Sequence, residues 1–558
     1  MNPLQDKPFY YLENFERALD WIGQRYADLL DGQERAFVDA FPALPRAARA
    51  LFVRMLMRKG SAFRTSKLTY AEIGCAEAAA RALLRTAWVE SDPVLDIDTL
   101  FTLLSKAEIA QAFGLSAPAR AAKKSEQLAA LRAQFADPRP FSAWYRASGE
   151  SVLHVRAKPL CERLRLIFFG NTHQDWSEFV LSDLGVYRYE SVPFGPGARA
   201  FQNRRDLDDY LALQRVRELA GAGELTPELI AALQSRHYDN AWLAGRRARL
   251  LYQLGQQYEQ RADWAGAGAL YAACNYPGAR ARAIRVLEKD GQTAKAQALL
   301  SEAWGAPENE AERLALRRMA PRLARKLGLV AARAPAAAPP PSWQLSLARP
   351  LPALPVEQLV RAHLASAQAP VFYVENALIN ALFGLLCWPA IFCALPGAFF
   401  HPFQRGPADL HSPHFQRERA ALFDACLAEL DDDRHRHTIA RRYRDKQGIQ
   451  SPFLAWDRLS EELIALALDC IPAAHLKLWF ARILQDIQAN RSGFPDLIQF
   501  WPAERRYRMI EVKGPGDRLQ DSQLRAIAFC GAHQMPVAVC YVQWCEAAPR
   551  DATSRSFP

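Results

Sequence analysis

Ten cysteines are spread over 558 residues, and no two of them form a Cys-x-x-Cys pair. That spacing argues against a zinc cluster or a disulfide framework and fits a reducing compartment. The N-terminus, Met1 to Lys7, has no basic stretch leading into an apolar one, so no secretion signal is expected. One run, Ala381 to Phe400, does lack charge over twenty residues. Its length would suit a membrane span, but Pro389, Pro396, Gly384 and Gly397 interrupt it and no basic flank orients it. A buried core helix followed by strand or turn is the expectation, with no membrane partner.

What is present is positive charge: 70 Lys and Arg against 60 Asp and Glu, a formal net charge of +10. The excess favours a polyanionic partner. The length suggests about three to four domains.

The chemistry sits near the C-terminus. Asp496 follows Pro495 and opens an apolar run, Leu497 to Trp501, that reads as a buried strand. Pro502 to Arg506 is turn material, and Arg508 to Val512 reads as the returning strand. Asp496 then starts one strand and Glu511 nearly ends its antiparallel neighbour, which sets the two side by side. Adjacent carboxylates are costly unless a divalent cation neutralises them, and hard oxygen ligands suit Mg²⁺ or Mn²⁺. Lys513 shares a strand face with Glu511, where its ammonium can orient a water or neutralise charge on a phosphate. Gly514-Pro515-Gly516 breaks the strand, and Leu519 to Phe529 reads as a helix carrying Gln523.

These residues, in this order, resemble the PD-(D/E)xK nucleases. The wording Arg491-Ser-Gly-Phe-Pro-Asp-Leu497 and Glu511-Val-Lys-Gly-Pro-Gly-Asp-Arg-Leu519 is similar to the VRR-NUC domain, and specifically to the Fanconi-associated nuclease family. The resemblance implies an α/β restriction-endonuclease-like domain closing a long helical chain. It also implies a metal-binding glutamate at Glu375, so that Glu375, Asp496, Glu511 and the Val512 carbonyl hold one or two Mg²⁺ or Mn²⁺ ions while Lys513 positions nucleophile and phosphate. Read without the family, Val371 to Asn380 opens a helix ahead of the sheet. Glu375, the only carboxylate between Glu357 and Asp409, is there a solvated helix start. Gln523 is expected to orient the strand or Lys513 rather than to ligate metal. The implied activity is 5′-flap endonuclease and 5′-to-3′ exonuclease action in interstrand cross-link repair, leaving a 5′-phosphate and a 3′-hydroxyl. A junction resolvase or restriction-type endonuclease on the same fold is the competing reading. The family's eukaryotic members often carry an N-terminal ubiquitin-binding zinc finger; this sequence has no Cys/His cluster, so no such finger and a bacterial origin are expected, with the protein cytoplasmic and on the nucleoid when it acts.

The rest of the chain reads as mainly α-helical. Residues 1–94 form an N-terminal helical domain in which Phe15, Leu19, Trp21, Ile22, Leu29 and Leu30 share an apolar face. Residues 95–137 combine a helix from Asp98 to Ala112 closed by Gly114, a loop over Ser116 to Ala122, and a helix led by Lys123 and Lys124. This resembles a SAP-type DNA-binding module, with the lysine pair suited to a phosphate or simply solvated. Residues 138–226 are a mixed connecting region. Within 227–330, Trp242 to Gln260, Trp264 to Cys274, Ala279 to Lys289 and Thr293 to Trp304 read as successive helices, resembling a degenerate TPR-like array. Arg280, Arg282 and Arg285 there make either a basic patch for a DNA phosphate or a solvated face. Residues 331–342 are a Pro-rich linker, and 343–558 the nuclease domain. Within it Arg434, His437, Arg441 and Arg444 recur at near-helical spacing, with Lys446 beyond, as a candidate DNA track. The expected partner is branched or flapped double-stranded DNA, with a homodimer on DNA left open.

Overall fold

The computed structural model describes residues 8–195, 197–329, 339–349 and 354–545. Residues 331–338 of the expected linker lie outside them, as does Met1 to Lys7. The chain divides into two compact units, Met1–Leu207 with Phe400–Gln404, and Asp208–Phe399 with Arg405–Pro558.

In the first unit, helices Tyr10–Arg25, Gly32–Ala40 and Arg46–Leu56 bury Phe15, Phe37, Phe41 and Phe52. Asp31 and Glu34 close a capping box that starts the second of these helices. Glu34 is wholly buried, and Arg163 and Arg204 donate to its carboxylate at 2.7 and 2.6 Å. An antiparallel sheet sets Val152–Val155 between Ala62–Arg64 and Val89–Ser91. The helix expected over Asp98 to Ala112 is in fact two, Ile97–Leu103 and Lys106–Ala112. Ser105 and Glu108 form a reciprocal cap that restarts the chain as a new helix. The loop expected over Ser116 to Ala122 contains a short helix, Ala117–Ala121, with Pro118 in its first turn.

The second unit begins with helices. Ala241–Gln260, Trp264–Ala272, Ala279–Lys289 and Thr293–Gly305 follow the punctuation read from the sequence. A further helix, Glu310–Lys326, completes the stack, and its Glu310 carboxylate accepts a 2.8 Å bond from the buried Arg482.

The nuclease part is built on one five-stranded sheet. In chain order its elements include β1 (Ser342–Ala348), α1 (Val356–Leu364), β2 (Val371–Tyr373), α2 (Leu378–Leu386), α3 (Arg434–Asp445), β3 (Leu497–Trp501), β4 (Arg506–Lys513), α4 (Asp521–Ala532) and β5 (Val537–Cys545). The strands lie in the order β1-β5-β4-β3-β2. β3 is antiparallel to both of its neighbours, β2 and β4, whereas β5 runs parallel to both β4 and β1. A parallel neighbour needs a crossover, and α4 connects β4 to β5. Leu497, Ile510, Val512, Cys540 and Val542 bury one face of the sheet together with Val360 of α1.

Val371 to Asn380 does not open a helix directly. Val371–Tyr373 is an edge strand, Val371 pairing with Gln499, as suits a β-branched and aromatic run. The helix starts only at Leu378, after a turn in which Asn376 takes φ 53°. Every residue of α2 is buried, which accounts for the charge-free stretch, and the chain then turns through Trp388–Ile391. Among the described residues no single helix is long and apolar enough to cross a membrane.

Candidate active site

Three pieces of chain meet at the end of the β3–β4 hairpin. Leu497 pairs with Ile510, so Asp496, one residue before β3, stands across from Glu511. The Val374 N–H donates to the Asp496 carbonyl at 2.8 Å, which brings the turn carrying Glu375 to the same corner. The Val512 N–H donates to Asp496 Oδ2 at 2.9 Å. The N–H and C=O of one strand residue point to the same side. The Val512 carbonyl therefore also faces Asp496, past the last rung of the hairpin.

Burial sets the electrostatics. Glu511 is fully excluded from solvent, and Lys513 Nζ lies 2.7 Å from its Oε1. Oε2 has no hydrogen-bond partner among the described residues. Desolvation, reinforced by the Asp496 charge, pushes Glu511 up to about 7 against the pull of Lys513. Asp496 rises to about 6, chiefly by burial, with Glu375 and Glu357 adding to it and the Val512 N–H and Lys513 opposing. Two carboxylates and one ammonium in a dry corner leave a net negative charge and an orphaned oxygen. Hard anionic donors of this kind fit a divalent cation.

Glu375 stands beside this corner, half-buried. Its Oε2 accepts the Tyr373 hydroxyl at 2.5 Å and its Oε1 accepts Asn376 Nδ2 at 3.3 Å. Among the described residues no three His, Cys, Asp or Glu already converge as a ready cage. The formed part is Asp496, Glu511 and Val512, with Glu375 turned toward Tyr373. Asn376 Oδ1 accepts the Phe494 N–H at 3.1 Å, and Asn380 Nδ2 donates to the carbonyls of Asn376 (2.7 Å) and Arg491 (2.8 Å). Gly493 takes φ +86°, and a Cβ there would sit 2.5 Å from the Ser522 backbone at the start of α4. Tyr373, Asn376 and Asn380 were not singled out by the sequence reading. A polar residue amid the apolar run of α2 was the one available signal for Asn380.

The other expected residues divide. Gln523 is on α4 as anticipated, but its Oε1 accepts the Gln520 N–H at 2.8 Å. Its carbonyl therefore caps its own helix rather than orienting Lys513. Lys123 and Lys124 are exposed, yet Lys124 Nζ donates to the Leu104 carbonyl at 2.7 Å and so caps the helix Ile97–Leu103. The Arg280–Arg285 patch is largely neutralised within the fold. Arg280 binds the buried Glu312 at 2.8 and 2.7 Å, and Arg282 binds Glu259 at 2.8 Å and the Tyr252 hydroxyl at 3.1 Å. Only Arg285 of the three is mostly exposed, with Glu259 4.0 Å away. On α3, His437, Arg441 and Arg444 are exposed along one face with Arg434, which pairs with Asp432 at 2.7 Å.

A mixed sheet whose central hairpin ends in Asp496, Glu511 and Lys513 defines a nuclease of the PD-(D/E)xK class. Family models match three stretches of the chain: "FAN1, HTH domain" over residues 9–90, "Fanconi anemia-associated nuclease SAP domain" over 94–144, and "VRR-NUC domain" over 430–544. The last begins downstream of Glu375. The chain is 54% identical to a Fanconi-associated nuclease 1 homolog of Pseudomonas aeruginosa, across 97% of both chains. It is 29% identical to human Fanconi-associated nuclease 1 over 34% of this chain and 19% of that one. A crystal structure of paFAN1 bound to a 5′-flap DNA with a gap matches it with a TM-score of 0.93 at 53% identity, covering 97% of this chain and 99% of that one. The chain belongs to the Fanconi-associated nuclease family and is a structure-specific DNA nuclease. Divalent-metal dependence comes with the VRR-NUC domain.

Proposed function

We propose that this nuclease cuts 5′-flap DNA and degrades 5′ ends, and that it serves interstrand cross-link repair. The substrate reading is supported by the relative at 53% identity, which is crystallised on 5′-flap DNA. The chemistry rests on one observation: Glu511, wholly buried beside Asp496, keeps an orphaned carboxylate oxygen. Asp496, Glu511, the Val512 carbonyl and Glu375 would hold one or two Mg²⁺ or Mn²⁺ ions. Such an ion, when bound, supplies an activated water and stabilises the leaving oxygen.

The chain's own groups do the rest. Lys513 holds Glu511 in place by their ion pair, and its ammonium meets the charge of the scissile phosphate. Tyr373 and Asn376 hold Glu375 within a turn of the site, so a rotation of that carboxylate completes the ligand set. The Arg434–His437–Arg441–Arg444 face of α3, together with Lys123 and Arg285, contributes phosphate contacts that are indifferent to sequence. The products are a 5′-phosphate and a 3′-hydroxyl. The setting is the bacterial cytoplasm, on the nucleoid, and a second copy can join on DNA.

Labelled 5′-flap, 3′-flap, blunt duplex and four-way junction substrates, each with Mg²⁺ or Mn²⁺, test this reading. Preferred incision of the 5′ flap is expected, and the mass of the protein–flap complex reports one copy or two. Preferential cutting of intact four-way junctions would favour the resolvase alternative instead.

A further inference from the structure

Five residues ahead of Asp496, Arg491 is one of two guanidiniums that lie together with no acidic partner among the described residues. Arg491 NH1 donates to the Pro452 carbonyl at 3.4 Å, and Arg405 Nε donates to the adjacent Ser451 carbonyl at 3.0 Å. The two heads are thus anchored on neighbouring peptide units. The Arg405 segment is pressed onto that strand of chain, since a Cβ on Gly406 would sit 2.8 Å from the Pro452 ring. Neither guanidinium has a carboxylate ion-pair partner among the described residues. Burial and then the Arg405 charge weaken Arg491's hold on its proton. His411 is pushed down by burial, by Arg491 and by Arg249, with Asp486 opposing. The Asp486 carboxylate is already engaged, accepting the Ala489 N–H at 2.9 Å. Like charges held together at a cost, with most donors unused, suit a tetrahedral anion.

The cluster is also registered to the catalytic corner. Asn380 holds the Arg491 carbonyl at 2.8 Å and the carbonyl of Asn376, the residue after Glu375, at 2.7 Å. We propose that Arg405 and Arg491 form a cradle at the edge of the active site that grips one backbone phosphodiester of the strand being cut. The inference rests on the flap-nuclease reading. The cradle fixes the strand relative to Asp496, so it sets where incision falls as well as how tightly DNA is held.

The test measures 5′-flap binding in EDTA at several salt concentrations for wild type, Arg405→Gln and Arg491→Gln. Neutral methylphosphonates are walked along the flap strand, and each flap carries either a 5′-phosphate or a 5′-hydroxyl. Arg405 is exposed, so its variant remains informative even if Arg491→Gln folds poorly. In wild type one internal methylphosphonate should weaken binding roughly tenfold. In the variants that same substitution should have no further effect, and the salt slope should fall by about one. Variants with wild-type affinity, slope and methylphosphonate profile would overturn the cradle. So would sensitivity to the 5′-phosphate alone, because that outcome makes the ligand a terminal monoester. The same titration on an unflapped duplex tests the underlying reading: a wild type that binds it as tightly as the flap would bring that reading down, and the two failures are told apart by wild type alone.

Discussion

Replacing Glu511 with Gln keeps its shape and removes its charge, and in the metal-free protein this should be stabilising. The carboxylate is wholly buried, and its pKa is pushed from 4.5 to about 7 mainly by desolvation. An unfolded chain releases this proton near the ordinary carboxylate value, whereas the folded chain holds it until about 7. Between those values the folded state binds more protons, so stability falls as pH rises through the interval and levels off above it. Each pH unit of that interval is about 1.4 kcal/mol, which puts the cost of ionised Glu511 on the order of 3 kcal/mol at pH 8. Thermal unfolding in EDTA should therefore show Glu511→Gln melting several degrees above wild type at pH 8 and close to it at pH 4.5. Saturating Mg²⁺ or Mn²⁺ should reverse the order at pH 8, because only the wild type gains binding energy there. A variant equally destabilised at both pH values in EDTA would refute the claim that this corner is electrostatically strained.

Asp496→Ala and Lys513→Ala should each abolish metal-dependent cleavage while flap binding survives, as read by single-turnover incision and a parallel binding titration; wild-type rates in either variant would remove that residue from the chemistry. Tyr373→Phe deletes the 2.5 Å bond to Glu375 and should shift the divalent-ion concentration needed for half-maximal rate, with little change in the rate at saturation. Gly493→Ala meets both a φ of +86° and the Ser522 backbone at 2.5 Å, so it should cost more than about 2 kcal/mol and lose activity in proportion, measured by denaturant unfolding. Lys123→Ala should reduce the salt slope of flap binding by about one without changing the melting temperature. Lys124→Ala should lower that temperature slightly as well, because Leu104 loses its cap.

How far these features can be read from the chain depends on how local their causes are. The β3–β4 hairpin was legible because apolar runs, Pro502 and Gly514-Pro515-Gly516 punctuate it within one short stretch, and its register follows from that hairpin. Glu375 was legible as a residue but not in its setting. Val371–Tyr373 is too short to declare itself a strand, and pairing with distant β3 decides the matter. β1 escaped for the same reason, since it exists by pairing parallel to β5 near the other end of the sheet. The arginines show the limit most clearly. Arg280, Arg282, Arg405 and Arg491 are equivalent as letters, yet Glu312 and Glu259 come from other helices to neutralise the first two. Among the described residues the second two donate only to carbonyls. A cation that the fold has already paired gains little from a phosphate, because that contact would strand a buried carboxylate. A cation paired only with carbonyls loses no such partner. DNA contacts in this protein are therefore to be sought where guanidiniums lack acids, rather than where they are densest in the sequence.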